Sequence, residues 1–241
     1  MARRTREEAL ATREQLLDAA ERVFRERGVG HTTLAEVADA AGVTRGAVYW
    51  HFRSKADLFE AMVARAEMPH ETSLQRMEDA AAEDPMAALR QGAIESLTHL
   101  MTDARARAVY EIVFLRCEYT DELATVRHGQ ACARDNCYDK IETAMRAAVE
   151  RAQLPAGTDI KLAARGIYAY VGGLMRDYLD APDTIDPRAD AGVLIDIFLE
   201  GLRGGAAVRK KRNVAARKPA TPRRTTVRRK ANGASTRATA K

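Results

Sequence analysis

Between Thr44 and Lys55 the chain gathers Arg45, an aromatic run (Tyr49, Trp50, His51) and the closing lysine around two small apolar residues, Ala47 and Val48. The chemistry that such a set offers is recognition of duplex DNA. Arg45 can place two parallel donors on a guanine edge. Ala47 and Val48 suit close packing or contact with a thymine methyl. The Tyr49 hydroxyl, His51 and Lys55 suit phosphate oxygens, helped by backbone N–H groups where a helix opens at Lys55. By periodicity, the aromatic cluster is too polar and too exposed to be all core.

Three short helices must position these groups, and their ends are marked by punctuation. Thr33 with Glu36 forms a T-x-x-E capping box, which starts a helix at Leu34. Val37, Ala38 and Ala41 give that helix one apolar face. Gly42 stops it, because only glycine takes the left-handed conformation without a Cβ penalty. Val43 plugs the corner, and Thr44 caps a second helix running from Arg45 to about His51. Ser54 with Asp57 opens a third at Lys55. Two short helices joined by a tight glycine turn make a helix-turn-helix, whose second helix can enter a major groove. An ordinary αα-corner inside a helical protein carries the same pattern.

The run from Gly42 to Phe52 (GVTRGAVYWHF), followed by Lys55, resembles the DNA-binding domain of the TetR family of bacterial repressors. The resemblance implies DNA contacts from Thr33, Thr44, Arg45, Gly46, Ala47, Tyr49, Trp50, His51 and Lys55. It assigns Val37, Ala38, Ala41, Val43, Val48 and Phe52 to holding the three-helix unit together.

Composition bounds the rest. The chain has 241 residues, 46% hydrophobic and only 5% aromatic, with abundant Ala and Leu. No segment alternates with the period of a strand, so the expected fold is all-α. The net charge of +5 conceals a split: the fourteen Lys and Arg after Leu202, with no Asp or Glu among them, exceed it, so residues 1–202 carry −9. Residues 1–60 hold ten basic and ten acidic side chains, so DNA affinity there depends on their arrangement. No apolar run is long enough to span a membrane, and Arg3, Arg4 and Arg6 precede no apolar signal segment. Cys117, Cys132 and Cys137 lack C-x-x-C spacing, as reduced thiols of a cytoplasmic protein would. A redox switch at Cys132 and Cys137 is a minor alternative.

Taken in order, the chain divides into a helix-turn-helix domain at 1–60, a helical ligand-binding and dimerisation domain at 61–203, and a disordered Lys/Arg-rich tail at 204–241. Residues 2–6 form a basic arm. An amphipathic helix follows from Glu7 to Arg27, with Leu10, Leu16, Leu17, Ala20, Val23 and Phe24 inward and Gly28 at its end. The Lys55 helix carries Leu58, Phe59, Met62, Val63 and Ala66 toward Pro69, a lever between the two domains. After an acidic connection at 78–85, five helices are expected near 86–102, 106–118, 122–152, 159–180 and 188–203. In the fourth of these, Ile160, Ala164, Ile167, Val171, Leu174 and Tyr178 form a seam at 4-3-4-3-4 spacing. Leu162, Tyr168, Ala169, Met175 and Leu179 make a second apolar face. With Val193, Leu194, Ile197, Phe198 and Leu202 of the last helix, these faces point to a homodimer through a four-helix contact. The tail lacks Leu, Ile, Phe and Met and cannot build a core; it suits sequence-independent phosphate contacts, or is a mere solubility extension.

Within the TetR family the likeness is to the multidrug-efflux branch, the AcrR-like and TtgR-like regulators. It is carried by VTRGAVYWHF, EIVFLRCEYTDEL at 111–123 and YAYVGGLM at 168–175. That branch implies repression of an export-pump operon and release from a palindromic operator when a drug-like ligand fills the second domain. The ligand positions it implies are Glu67, Leu89, Gly92, Ala93, Tyr110, Phe114, Cys137, Ile141, Tyr168, Val171, Gly172, Met175 and Arg176. Gly92 and Ala93 are smaller than the branch carries there, and Gly172 lacks a polar side chain found in some relatives. From the residues alone, Met62, Met101, Met145 and Met175 with several aromatics suit a plastic apolar cavity as well as an ordinary core; Glu67 would favour cationic ligands. No metal or cofactor is expected: the five histidines are scattered, and no phosphate-binding glycine loop or nucleophile elbow is present. An enzyme is therefore disfavoured. A sequence-nonspecific architectural DNA protein acting through its tail is the alternative reading.

Overall fold

The computed structural model describes residues 6–65, 83–118, 120–184, 186, 189–205 and 207. Among the described residues there are nine α-helices and no strand: α1 (Arg6–Arg27), α2 (Leu34–Ala41), α3 (Arg45–His51), α4 (Lys55–Arg65), α5 (Pro85–Thr102), α6 (Ala104–Glu111), α7 (Ala124–Glu150), α8 (Ile160–Asp180) and α9 (Asp190–Arg203). The chain is all-α, as its composition and periodicity require. The basic arm before Arg6, Ala66, Glu67, Pro69, most of the 78–85 connection and the tail beyond Ala207 lie outside the described residues.

The first four helices start and stop where local chemistry directs. Glu7 and Glu8 in the first turn of α1 and Arg25 and Arg27 in its last complement the helix dipole. Gly28 ends α1 at φ 84° with its N–H on the Phe24 carbonyl at 2.9 Å. The capping box of α2 is closed from both sides, and Gly42 ends it at φ 68°. The Val43 N–H returns to the Ala38 carbonyl at 3.0 Å, a Schellman closure that spares the last carbonyls of α2 from being orphaned. Thr44 Oγ1 accepts the Ala47 N–H at 3.2 Å. Ser54 Oγ accepts the Asp57 N–H at 3.1 Å, while the Asp57 carboxylate accepts the Arg53 N–H at 3.0 Å. Later starts follow the same rule, with Asp84, Asp103 and Asp159 capping α5, α6 and α8.

Two cores result. One joins α1 to α4 through Leu16, Leu17, Phe24, Val37, Val48, Phe52, Leu58, Phe59 and Met62. It also takes in Val109, Ile112, Leu123 and Val126 from the second half of the chain. The other fills the bundle of α5, α7, α8 and α9 with Leu89, Leu97, Leu100, Met145, Ile167, Ile195 and Leu199. Met101, Met145 and Met175 belong to it, whereas Met62 lies in the first core.

Three elements differ from the sequence expectation. The helix expected near 106–118 starts at Ala104, because the Asp103 carboxylate caps the Ala106 N–H at 2.8 Å. It changes at Ile112 into a π-helical turn, Ile112–Arg116. The next helix is preceded by a 3-10 turn, Asp121–Leu123, and begins at Ala124. In α8 the expected second apolar face divides: Met175 is buried in the bundle, while Leu162, Tyr168 and Ala169 face solvent.

Candidate nucleic-acid interface and bundle interior

Helix α3 shows opposite characters on its two sides. Val48 is fully buried in the first core, whereas Tyr49 and Trp50 are 60% and 72% exposed. Thr33, Thr44, Arg45 and Gly46 are exposed with them, and Ala47 and His51 are half-buried. The Trp50 ring stands edge-on to His51 at 4.5 Å between centroids. Next in the chain, Phe52 is buried beneath the Arg13 guanidinium, 5.4 Å above its ring. One outward face therefore collects most of the residues expected at DNA.

Three of the nine are engaged elsewhere, Thr44 among them, since its hydroxyl caps the Ala47 N–H. The Thr33 hydroxyl accepts the Glu36 N–H at 3.3 Å and donates to Glu36 Oε2 at 2.9 Å. The Thr33 N–H, that hydroxyl and Arg27 hold the Glu36 carboxyl below its ordinary range. Lys55 is 5% exposed. Its Nζ donates to the Thr32 carbonyl at 3.0 Å and pairs with Glu122 at 2.9 Å. The expected phosphate contact from this ammonium is not what the structure displays: a carbonyl and a carboxylate within the protein have drawn it inward. Lys55→Ala should cost about 1–3 kcal/mol by orphaning the Thr32 carbonyl, since the half-exposed Glu122 can rehydrate. The urea midpoint would fall while the salt dependence of DNA binding stayed put. An unchanged midpoint beside a salt slope shallower by about 0.9, the share of one phosphate, would return this lysine to the interface.

The expected ligand positions gather around the bundle core. Leu89, Tyr110, Cys137, Ile141 and Met175 are buried in it, and Ala93, Phe114 and Val171 pack against it. Gly92 and Gly172 are half-buried, Tyr168 lies at the margin, and Arg176 faces outward; Glu67 is outside the described residues. Tyr110 stacks on Phe114 at 5.6 Å, and Tyr168 meets Tyr138 edge-on at 4.9 Å. Burial drives the Tyr110 phenol well above its ordinary range and pushes the Cys137 thiol up to about 11. Both stay neutral at physiological pH, so these two polar groups of the interior carry no charge.

Cys132 is exposed, its Sγ 3.7 Å from His128 Nε2, while Cys137 is buried. Five helical residues separate the two cysteines by about 7.5 Å along the axis, too far for a disulfide while α7 is intact. Among the described residues no group of three or more His, Cys, Asp or Glu could hold a metal ion.

Sequence reasoning missed the polar ties between the halves. Arg25 holds Glu111 at 2.9 Å, and the Val29 N–H donates to the Arg116 carbonyl at 2.9 Å. Arg65, at the end of α4, reaches Glu14, Asp18 and Glu21 on α1 at 3.2, 2.6 and 3.3 Å. The 4-3 spacing of those carboxylates was a visible signal that α1 carries an acidic stripe awaiting a cation.

Comparison with known proteins extends this geometry. Residues 16–62 match the family described as bacterial regulatory proteins, tetR family, and residues 84–203 match the C-terminal region of MAATS-type transcriptional repressors. The chain is 41% identical over 210 residues to the HTH-type transcriptional regulator TtgR of Pseudomonas putida, covering 87% of this chain and all of that one. It is similar to the crystal structure of NalD, the secondary repressor of the MexAB-OprM multidrug efflux pump in Pseudomonas aeruginosa. The TM-score is 0.75 at 35% identity, over 82% of this chain and 98% of that chain. A SmeT–triclosan complex aligns with a TM-score of 0.67 at 34% identity, over 87% and 99%; SmeT is the repressor of a Stenotrophomonas maltophilia multidrug efflux pump. The likeness runs from the capped corner that holds α3 outward to the last helix of the bundle, and the chain belongs to the TetR family of bacterial transcriptional regulators.

Proposed function

We propose that this regulator represses the operon of a multidrug export pump, binds a palindromic operator as a homodimer, and leaves it when a drug-like ligand enters the bundle. The orientation of α3 carries the reading. Val48 anchors it, while Arg45, Tyr49 and Trp50 are left in water on a helix of seven residues. Large aromatic and cationic groups held outward on a rigid corner have their use outside the fold. The relatives NalD and SmeT support the export-pump target, since both repress such pumps.

In this reading residues 1–60 bind DNA and residues 61–203 bind ligand and dimerise. The second copy docks on α8 and α9, where Leu162, Val193 and Ile197 are 55%, 61% and 63% exposed. Such a row of aliphatic side chains gains by burial against its own symmetry mate. The ligand site lies among the thirteen positions that the resemblance implies. Its neutral phenol and thiol favour an apolar aromatic molecule with a hydrogen-bonding group, and Glu67 is the residue that would admit a cation. The protein acts on DNA in the cytoplasm, at the nucleoid, and catalyses no reaction.

Footprinting on the DNA upstream of the protein's own gene tests the whole reading, with triclosan as first probe because SmeT is known in complex with it. Protection should be symmetric about a palindrome, with two half-sites about one helical turn apart or a multiple of it. Drug should lift it, by a coupling of about 1–3 kcal/mol per ligand. Protection with no symmetry, or none at all on that DNA, would sink the repressor assignment.

A further inference from the structure

Helix α7 carries on its solvent side two side chains that neither the DNA surface nor the bundle interior uses. His128 and Cys132 are both exposed, and the Cys132 Sγ lies 3.7 Å from the His128 Nε2. They stand four residues apart, where side chains share a helix face. Side chains of a helix lean toward its N-terminus, which brings the thiol back over the imidazole one turn earlier. The surface beside them is open: a Cβ added at Gly129 would meet nothing within 4 Å.

The separation of the two donor atoms is the one that a shared metal ion requires. Zinc binds sulfur at about 2.3 Å and imidazole nitrogen at about 2.0–2.1 Å. With about 110–120° between those bonds, sulfur and nitrogen sit roughly 3.5–3.8 Å apart. The pair already stands at that spacing, so little rearrangement of either side chain is needed. Asp135 is next on this face by helical spacing, but Arg134 holds its carboxylate at 3.1 and 3.2 Å. The protein therefore supplies two ligands and water completes the shell, unlike a closed structural site with four. A thiolate beside an imidazole selects zinc-like and softer ions over Mg2+ and Ca2+, which take oxygen ligands. The other cysteines are poorly placed to compete. Cys117 is half-buried, and Cys137 is buried with its thiol pushed up to about 11.

We infer that His128 and Cys132 form a two-ligand chelate for a thiophilic metal ion, Zn2+ being the reference case, which clips the second turn of α7. The thiol proton passes to solvent as the metal–sulfur bond forms. Leu123, at the start of α7, makes no side-chain cap, so a bridge across the next turn opposes fraying of that end. The site neither rests on the drug-released reading above nor needs DNA.

The test is a titration of the full, reduced chain with Cd2+, whose thiolate charge-transfer absorbance reports the metal–sulfur bond directly. The wild-type chain should bind one Cd2+ per protomer, displaced by Zn2+. Cys132→Ser should abolish the band, although Cys117 and Cys137 remain. His128→Gln should keep a band but bind at least about tenfold more weakly, since losing a group that merely supports a ligand already costs about 10–100-fold in affinity. Both positions are exposed, so neither variant threatens the fold. Zn2+ should also slow amide exchange from His128 to Cys132 in the wild-type chain and not in Cys132→Ser. A band that survives Cys132→Ser would move the metal to another thiol, and an affinity indifferent to His128→Gln would leave a cysteine acting alone. Either result overturns the inference, as does amide exchange unmoved by Zn2+. A wild-type chain without a band overturns it too, and reduces the contact to a thiol–imidazole hydrogen bond.

Discussion

Arg45→Ala should weaken binding to the operator by about 1–3 kcal/mol per half-site, and roughly twice that for a dimer on a full palindrome. Affinity for a scrambled duplex of the same length should barely move. The expectation follows from where Arg45 sits. It is the first residue of α3, exposed, and one position after the Thr44 cap. Recognition helices read base edges with their N-terminal residues, and only a guanidinium there offers the parallel donors that match guanine O6 and N7. Folding should be almost untouched, because alanine is a good helix former and the Thr44–Ala47 cap remains. Fluorescence anisotropy with operator and scrambled duplex at one salt concentration separates the outcomes. Equal loss on both would make Arg45 a phosphate contact. Loss on neither would hand sequence readout to Tyr49 and the residues beside it.

That prediction uses the part of the molecule most legible in the sequence, and the reason is locality. Every device that shapes α2, α3 and the start of α4 closes within six residues: Thr33 with Glu36, Gly42 with Val43, Thr44 with Ala47, Ser54 with Asp57. Their side-chain types announce them. The burial of Lys55 was not legible because what holds its ammonium, the Thr32 carbonyl and Glu122, is brought to it by the fold. No residue type marks a π turn, so the change at Ile112 was invisible within a plausible helix. In α8, periodicity identified two apolar faces but could not say which meets the bundle and which meets solvent. Met175 went inward while Leu162 stayed out, and that division depends on where α7 and α9 lie. The ligand positions were legible only through family resemblance; nothing in their spacing distinguishes a cavity wall from a filled core.

Removing the basic tail should change the salt dependence of binding more than any point substitution. The cut belongs after Ala207, because its carbonyl accepts the Asp159 N–H that opens α8, at 2.9 Å. Thirteen Lys and Arg follow that residue, and no Asp or Glu. The body up to Leu202 carries −9, so without the tail a negatively charged protein must approach a polyanion. Each phosphate neutralised contributes about 0.9 to the slope of log K against log salt on duplex DNA. If roughly half of the tail charges engage, the slope should flatten by about 5 or 6 per protomer, and roughly twice that for a dimer, with the greatest loss of affinity at low salt. Near 1 M salt, where the screening length falls to about 3 Å, the full and truncated chains should converge. Because the effect is sequence-independent, the ratio of operator to random-DNA affinity should change little. An identical slope for the two chains would mean that the tail does not touch phosphates. Shuffling the order of the tail residues provides the decisive control. Counterion release depends on how many charges meet phosphates and not on their order, so a shuffled tail should restore the full slope, whereas a specific contact would not survive shuffling.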